Sequence, residues 1–148
     1  ALKQNTGGES RDGMDVSLCV FHNATGLIHY AGANRPLWVV SGETLNEIRP
    51  DKIAIGGVQE ETTRTFTHHE IQLRTGDCVY LSSDGYGDQF GGPKGKKFMV
   101  KQLQKLLLSI HGESMENQRR ILDTNFSEWK GTHEQVDDVL VMGFRYIS

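Results

Sequence analysis

Asp84, Asp88, Asp137 and Asp138 are the residues of this chain whose type and placement could do chemistry. Asp84 ends the apolar run Val79-Tyr80-Leu81-Ser82-Ser83 and is followed by Gly85, the pattern of a buried strand that delivers one carboxylate to the rim of a sheet. Asp137 and Asp138 stand directly before a second apolar run, Val139-Leu140-Val141-Met142. Turn chemistry alone explains an Asp-Gly pair after a strand, and strand-end acids are commonly solvated. Acids at two adjacent strand ends can also share one metal. A hard cation such as Mg2+ or Mn2+ prefers carboxylate and water oxygens at about 2.1 Å in octahedral geometry, and a rigid pair of strands can offer them.

The elements that must hold these acids are mostly strands. Seventeen glycines against three prolines imply many turns. Residues 16–22 and 27–32 read as two strands joined through Asn23-Ala24-Thr25-Gly26, whose match to a glycosylation sequon is taken as accidental. Strands at 37–41 and 44–48 follow, with a Gly42 turn between them. Arg35, beside Pro36 at a strand junction, is either a solvated loop charge or a phosphate contact. Residues 50–57 connect onward, and Gly56-Gly57 implies a tight backbone path. From 64 to 73 polar and apolar residues alternate with one slip near His68-His69, so Phe66, Ile71 and Leu73 point inward on an outer strand. Adjacent histidines on a strand face opposite ways, and no further His or Cys follows at ligand spacing, so both read as surface residues.

Residues 78–83 form the most apolar strand, expected at the centre of a sheet. The segment after Asp84, with Gly85, Gly87, Gly91, Gly92 and Gly95 among Lys94, Lys96 and Lys97, reads as a flexible loop. Its spacing is not that of a nucleotide P-loop, and no Ser or Thr follows the lysines. Residues 97–110 have helical periodicity. A second helix runs from a Ser114 cap to about residue 129, burying Met115, Ile121, Leu122, Phe126 and Trp129. The last strand, 139–146, reads as central. The expected fold is α+β: antiparallel β-sheets with two helices in the C-terminal half before the last strand.

Bulk composition narrows the function. A 36% hydrophobic and 24% charged chain of 148 residues is long enough for one domain with a core. Its net charge of −3 argues against nucleic acid as a partner. No apolar run reaches the roughly 20 residues of a membrane span, and no signal peptide opens the chain. Cys19 and Cys78, in apolar strand-like runs, suit free thiols in a reducing cytoplasm. Residues 1–14 read as a flexible lead-in whose start looks like an internal cut.

Ser83-Asp84-Gly85-Tyr86-Gly87-Asp88 resembles the Ser-Asp-Gly-x-x-Asp motif of the metal-dependent protein phosphatases, and Val136-Asp137-Asp138-Val139-Leu140-Val141 resembles their closing acidic motif. The SpoIIE-like branch is the most similar, through Ile55-Gly56-Gly57 and Gln72-Leu73-Arg74-Thr75-Gly76-Asp77. The resemblance runs from about residue 12 to 146. It implies half or more of an α-β-β-α sandwich and hydrolysis of phosphoserine or phosphothreonine on a protein, in cytoplasmic bacterial signalling downstream of a sensor or regulatory domain. It also implies a two-metal Mn2+ or Mg2+ site, in which Asp84 and Asp137 ligate one ion, Asp88 serves an accessory one, and Asp138 orients the site. Residues 15–148 would be the C-terminal two-thirds of such a domain, since nothing in residues 1–14 resembles the family's early aspartate segments. The loop Gly32-Ala33-Asn34-Arg35 also departs from the family, and the fragment by itself is expected to be inactive. A non-catalytic interaction module that keeps the fold is the alternative.

Overall fold

The computed structural model describes residues 13–56 and 65–148. Two antiparallel sheets and a helical layer stack as three layers around two apolar cores. The first sheet is built from β2 (Val16–His22), β3 (Leu27–Ala33) and β7 (His69–Gln72), in the order β2-β3-β7. The second has the order β11-β8-β4-β5, from β4 (Leu37–Ser41), β5 (Thr44–Ile48), β8 (Cys78–Ser82) and β11 (Val141–Arg145). The β2–β3 hairpin closes where expected, with Gly26 at φ +69°, a left-handed value that suits glycine.

Strands β4 and β8 are apolar up to their closing serines, Ser41 and Ser82, because both faces of their sheet are covered. On one face, Leu37, Val39 and Val79 pack with Ile28, Tyr30, Leu73 and Tyr146 between the two sheets. On the other, Trp38, Val40, Cys78 and Tyr80 meet the helical layer through Leu103 and Leu107. Those helices are α2 (Val100–Ile110) and α3 (Met115–Lys130). Ser114 caps α3 as expected, its hydroxyl accepting from the Asn117 amide at 3.2 Å. The buried Gln118 accepts from the Tyr80 hydroxyl at 2.7 Å, so the polar group at this interface is satisfied.

Several expectations are corrected. Among the described residues the final strand is an edge, pairing with β8 alone; it looks central in sequence because Phe144 packs at a tilt against Phe21 across the sandwich, with ring centroids 4.8 Å apart. The segment after Asp84 is not an open loop. It forms a third, short helix, α1 (Gly85–Asp88), and then a small hairpin of β9 (Phe90–Gly91) and β10 (Lys96–Lys97). Glycine propensity is overridden there by Tyr86, which is buried against Phe98 and Phe126 and donates its hydroxyl to the Leu122 carbonyl at 3.0 Å. Helix α2 begins at residue 100 rather than 97 because β10 takes the lysines and Met99, at φ +76°, turns the chain. Met115, Ile121, Leu122, Phe126 and Trp129 are only half-buried, the fully covered position of α3 being Gln118.

Gly13–Met14 (β1) pairs with Ile55–Gly56 (β6), so Gly13 and Met14 of the expected lead-in are strand; residues 1–12, Gly57 and Arg64 lie outside the described residues. Both cysteines are free. Among the described residues no helix is long and apolar enough to cross a membrane.

Candidate metal centre

The two acidic motifs meet because β8 and β11 are neighbours in register, Ser82 opposite Val141. Just beyond that pair, Ser83 links them three ways. Its hydroxyl donates to the Asp138 carbonyl at 2.8 Å and accepts from the Leu140 amide at 2.9 Å, while its own amide donates to the Leu140 carbonyl at 3.0 Å. Gly85 completes the seam: a Cβ there would stand 2.4 Å from the Asp138 carbonyl oxygen, so a residue with any side chain would force the loops apart. Backbone, rather than carboxylates, does the joining.

The four sequence-identified acids are placed differently. Asp84 lines a cleft of about 390 Å³ with Asp15, Ser17, Arg35, Ser83 and Leu140. Asp137 and Asp138 are exposed on the facing loop, and Asp137 Oδ1 accepts from the Asp138 amide at 2.7 Å. The Asp88 carboxylate lies 3.0 Å from Lys97 Nζ and lines no part of the cleft. Among the described residues, no three of these acids bring their oxygens within 4.8 Å of one another.

Arg35 fills the gap. One of its guanidinium nitrogens lies 2.6 Å from Asp84 Oδ2 and 2.9 Å from Asp15 Oδ2, and Asn34 donates to the other Asp15 oxygen at 2.8 Å. Its backbone is pinned, since Ser17 and Tyr30 both donate their hydroxyls to the Arg35 carbonyl. Arg35 is therefore an ion-paired residue of the cleft, not a solvated loop charge. Asp15 went unnoticed in the sequence although the signal was present: it stands one residue before a strand, as Asp138 does before Val139. Partial burial raises the Asp84 carboxyl, but the hydrogen bond and charge of Arg35 outweigh it and hold the group below its ordinary value of 3.8.

Because the folded value is depressed, the Arg35 contact stabilises the fold above the ordinary carboxylate range and is lost as pH falls through the folded value. Both partners reach solvent, so the pair is screened and worth at most about 1 kcal/mol. Arg35→Ala is expected to lower urea-unfolding stability by up to that amount at neutral pH and to change it little near pH 2. A pH-independent loss would show that Arg35 acts through packing.

The carboxylates that line the cleft, Asp15 and Asp84, are hard oxygen donors without thiol or imidazole beside them, which suits a Mg2+- or Mn2+-type cation; Asp137 and Asp138, on the facing loop, do not line it. Arg35 occupies Asp84 as the competing cation.

The comparisons with known proteins agree with this frame. The family model described as Stage II sporulation protein E (SpoIIE) matches residues 1–147. Among solved structures, the SiaA-PP2C domain of Pseudomonas aeruginosa superposes with a TM-score of 0.74 at 28% identity, over 82% of this chain and 47% of that one. The phosphatase domain of SpoIIE from Bacillus subtilis superposes with a TM-score of 0.67 at 13% identity, over 90% of this chain and 59% of that one. The Mycobacterium tuberculosis serine/threonine phosphatase PstP/Ppp gives 0.56 at 14% identity, over 92% and 61%. No curated protein matches. The chain thus spans about half the length of the first solved domains it resembles. With a match over nearly its whole length and the α+β protein phosphatase fold in common, this chain belongs to the SpoIIE family.

Proposed function

We propose that the protein carrying this chain hydrolyses phosphoserine or phosphothreonine on a protein partner, in cytoplasmic bacterial signalling under a sensor or regulatory domain, and that it depends on Mn2+ or Mg2+. The observation that carries the reading is Asp84. It is an ionised carboxylate at the end of a buried strand, facing a cleft and locked through Ser83 to the loop that bears Asp137. Asp84 and Asp137 are this chain's ligands to a two-metal site, with Asp88 accessory and Asp138 orienting its neighbour. When bound, the ions supply an activated water and neutralise the charge of the phosphoryl oxygens. The chain's own residues position. Ser83 keeps the two acidic loops in register, and Arg35 places a guanidinium in the cleft, able to pair with phosphoryl oxygens.

The test is hydrolysis of a phosphoserine peptide by the whole protein with Mn2+ and with EDTA. Turnover that needs Mn2+ supports the reading. Equal rates in both would remove the metal dependence, and turnover in neither would leave the second reading, a non-catalytic phosphatase-fold interaction module. One observation favours that reading: an arginine is already paired to the principal ligand.

A further inference from the structure

The outer face of the three-stranded sheet carries another group of ligating side chains, far from hard-oxygen chemistry. His29 on β3 and Glu70 on β7 are directly opposed across the ladder, so their side chains share a face. His68, two positions before Glu70, falls on that same face. His29 Nδ1 lies 2.9 Å from His68 Nε2 and 3.5 Å from Glu70 Oε1, and the three ligand atoms lie within 4.8 Å of one another. The two imidazoles are nearly parallel, 10° apart, and the His22 ring packs edge-on against His29 at 5.1 Å. His69 takes no part: its ring lies by the buried Tyr30, on the opposite face.

Bonds of about 2.0 to 2.1 Å in tetrahedral geometry place ligand atoms roughly 3.3 to 3.4 Å apart. The observed 2.9 and 3.5 Å from His29 bracket that spacing, and the third pair, His68 and Glu70, lies within 4.8 Å, a gap that the rotation of an exposed Glu70 side chain can close. Without an ion the short contact is a hydrogen bond between imidazoles. An ion requires only that each ring present a lone pair, which a tautomer shift provides. Two imidazoles and one carboxylate form the ligand set of open zinc sites, where water takes the fourth position. Imidazole also selects Zn2+ over Mg2+, so this group does not compete for the ions suited to Asp84.

We propose that His29, His68 and Glu70 form a transition-metal site of the Zn2+ class that clips the start of the edge strand β7 to β3. Sequence spacing hides the group, since 39 positions separate its two histidines.

The test uses Co2+ as a coloured stand-in for Zn2+, added to the whole protein carrying Asp84→Asn so that the carboxylate site is silent. Expected is one equivalent bound, with the visible d–d bands of low-coordinate, imidazole-ligated cobalt, displaced by Zn2+ and indifferent to millimolar Mg2+. His68→Ala and Glu70→Gln should each weaken binding by at least tenfold to hundredfold, the range for losing even a group that only supports a ligand. No d–d bands, or unchanged affinity in both variants, would overturn the proposal. Should His68→Ala not fold, Glu70→Gln, on a side chain 60% exposed, decides alone: weakened binding supports the site and unchanged binding removes it. The readout is independent of phosphatase activity.

Discussion

Asp84→Asn and Asp137→Asn should each lower Mn2+-dependent hydrolysis by the whole protein on the order of 10³-fold, with the melting temperature nearly unchanged. Metal charge stabilisation is worth several kcal/mol in the transition state, and each 1.36 kcal/mol is tenfold in rate. Stability has far less at stake. Asp84 is partly exposed, and its ion pair with Arg35 is screened, so the amide costs at most about 1 kcal/mol. Asp137 is exposed, and an asparagine oxygen can still accept from the Asp138 amide. Steady-state rates beside thermal melts measure both sides of this split. A variant that keeps near-normal rates would remove its residue from the metal assignment. One that loses rate only by unfolding would make the residue structural.

Gly85→Ala should pry apart the seam between the two acidic motifs. Its Cβ would lie 2.4 Å from the Asp138 carbonyl oxygen, 2.9 Å from that carbonyl carbon and 3.1 Å from Val139 Cγ2. The first two are backbone atoms that cannot swing aside, so the 137–139 loop must retreat from β8 and strain the three Ser83 hydrogen bonds. Overpacking of this kind costs about 1 to 3 kcal/mol. The loss of Mn2+ affinity should exceed the loss of stability, because the displaced loop carries Asp137. Gly112→Ala is the control, since a Cβ there meets nothing within 4 Å. Urea unfolding and Mn2+ titration of both variants make the comparison. If Gly85→Ala proved as harmless as Gly112→Ala, the seam between the two acidic motifs would not be tight.

Elements whose signals are local were legible. Strand alternation and glycine turns placed β2, β3, β4 and β5 closely, and the hydroxyl of Ser114 marked the start of α3. Where local propensity competed with packing, packing prevailed. Glycines 85 and 87 read as a loop, yet the buried ring of Tyr86 and its bond to Leu122 hold a helical turn there. The last strand read as central because apolar residues look alike whether a neighbouring strand or a facing sheet covers them.

By itself, the amino-acid sequence determined that the chain is an α+β domain built on antiparallel strands and that two acidic motifs stand at strand ends, which is why the family was recognisable from it. Only the tertiary structure decided which charges meet. The pairing of Arg35 with Asp84 across 49 positions, the entry of Asp15 into the same cleft, and the joining of His29 to His68 and Glu70 all follow from strand register and sheet order. A period-two pattern says which face a side chain takes but not which strand lies beside it. Residue types are written locally, whereas electrostatic neighbours are set by long-range pairing.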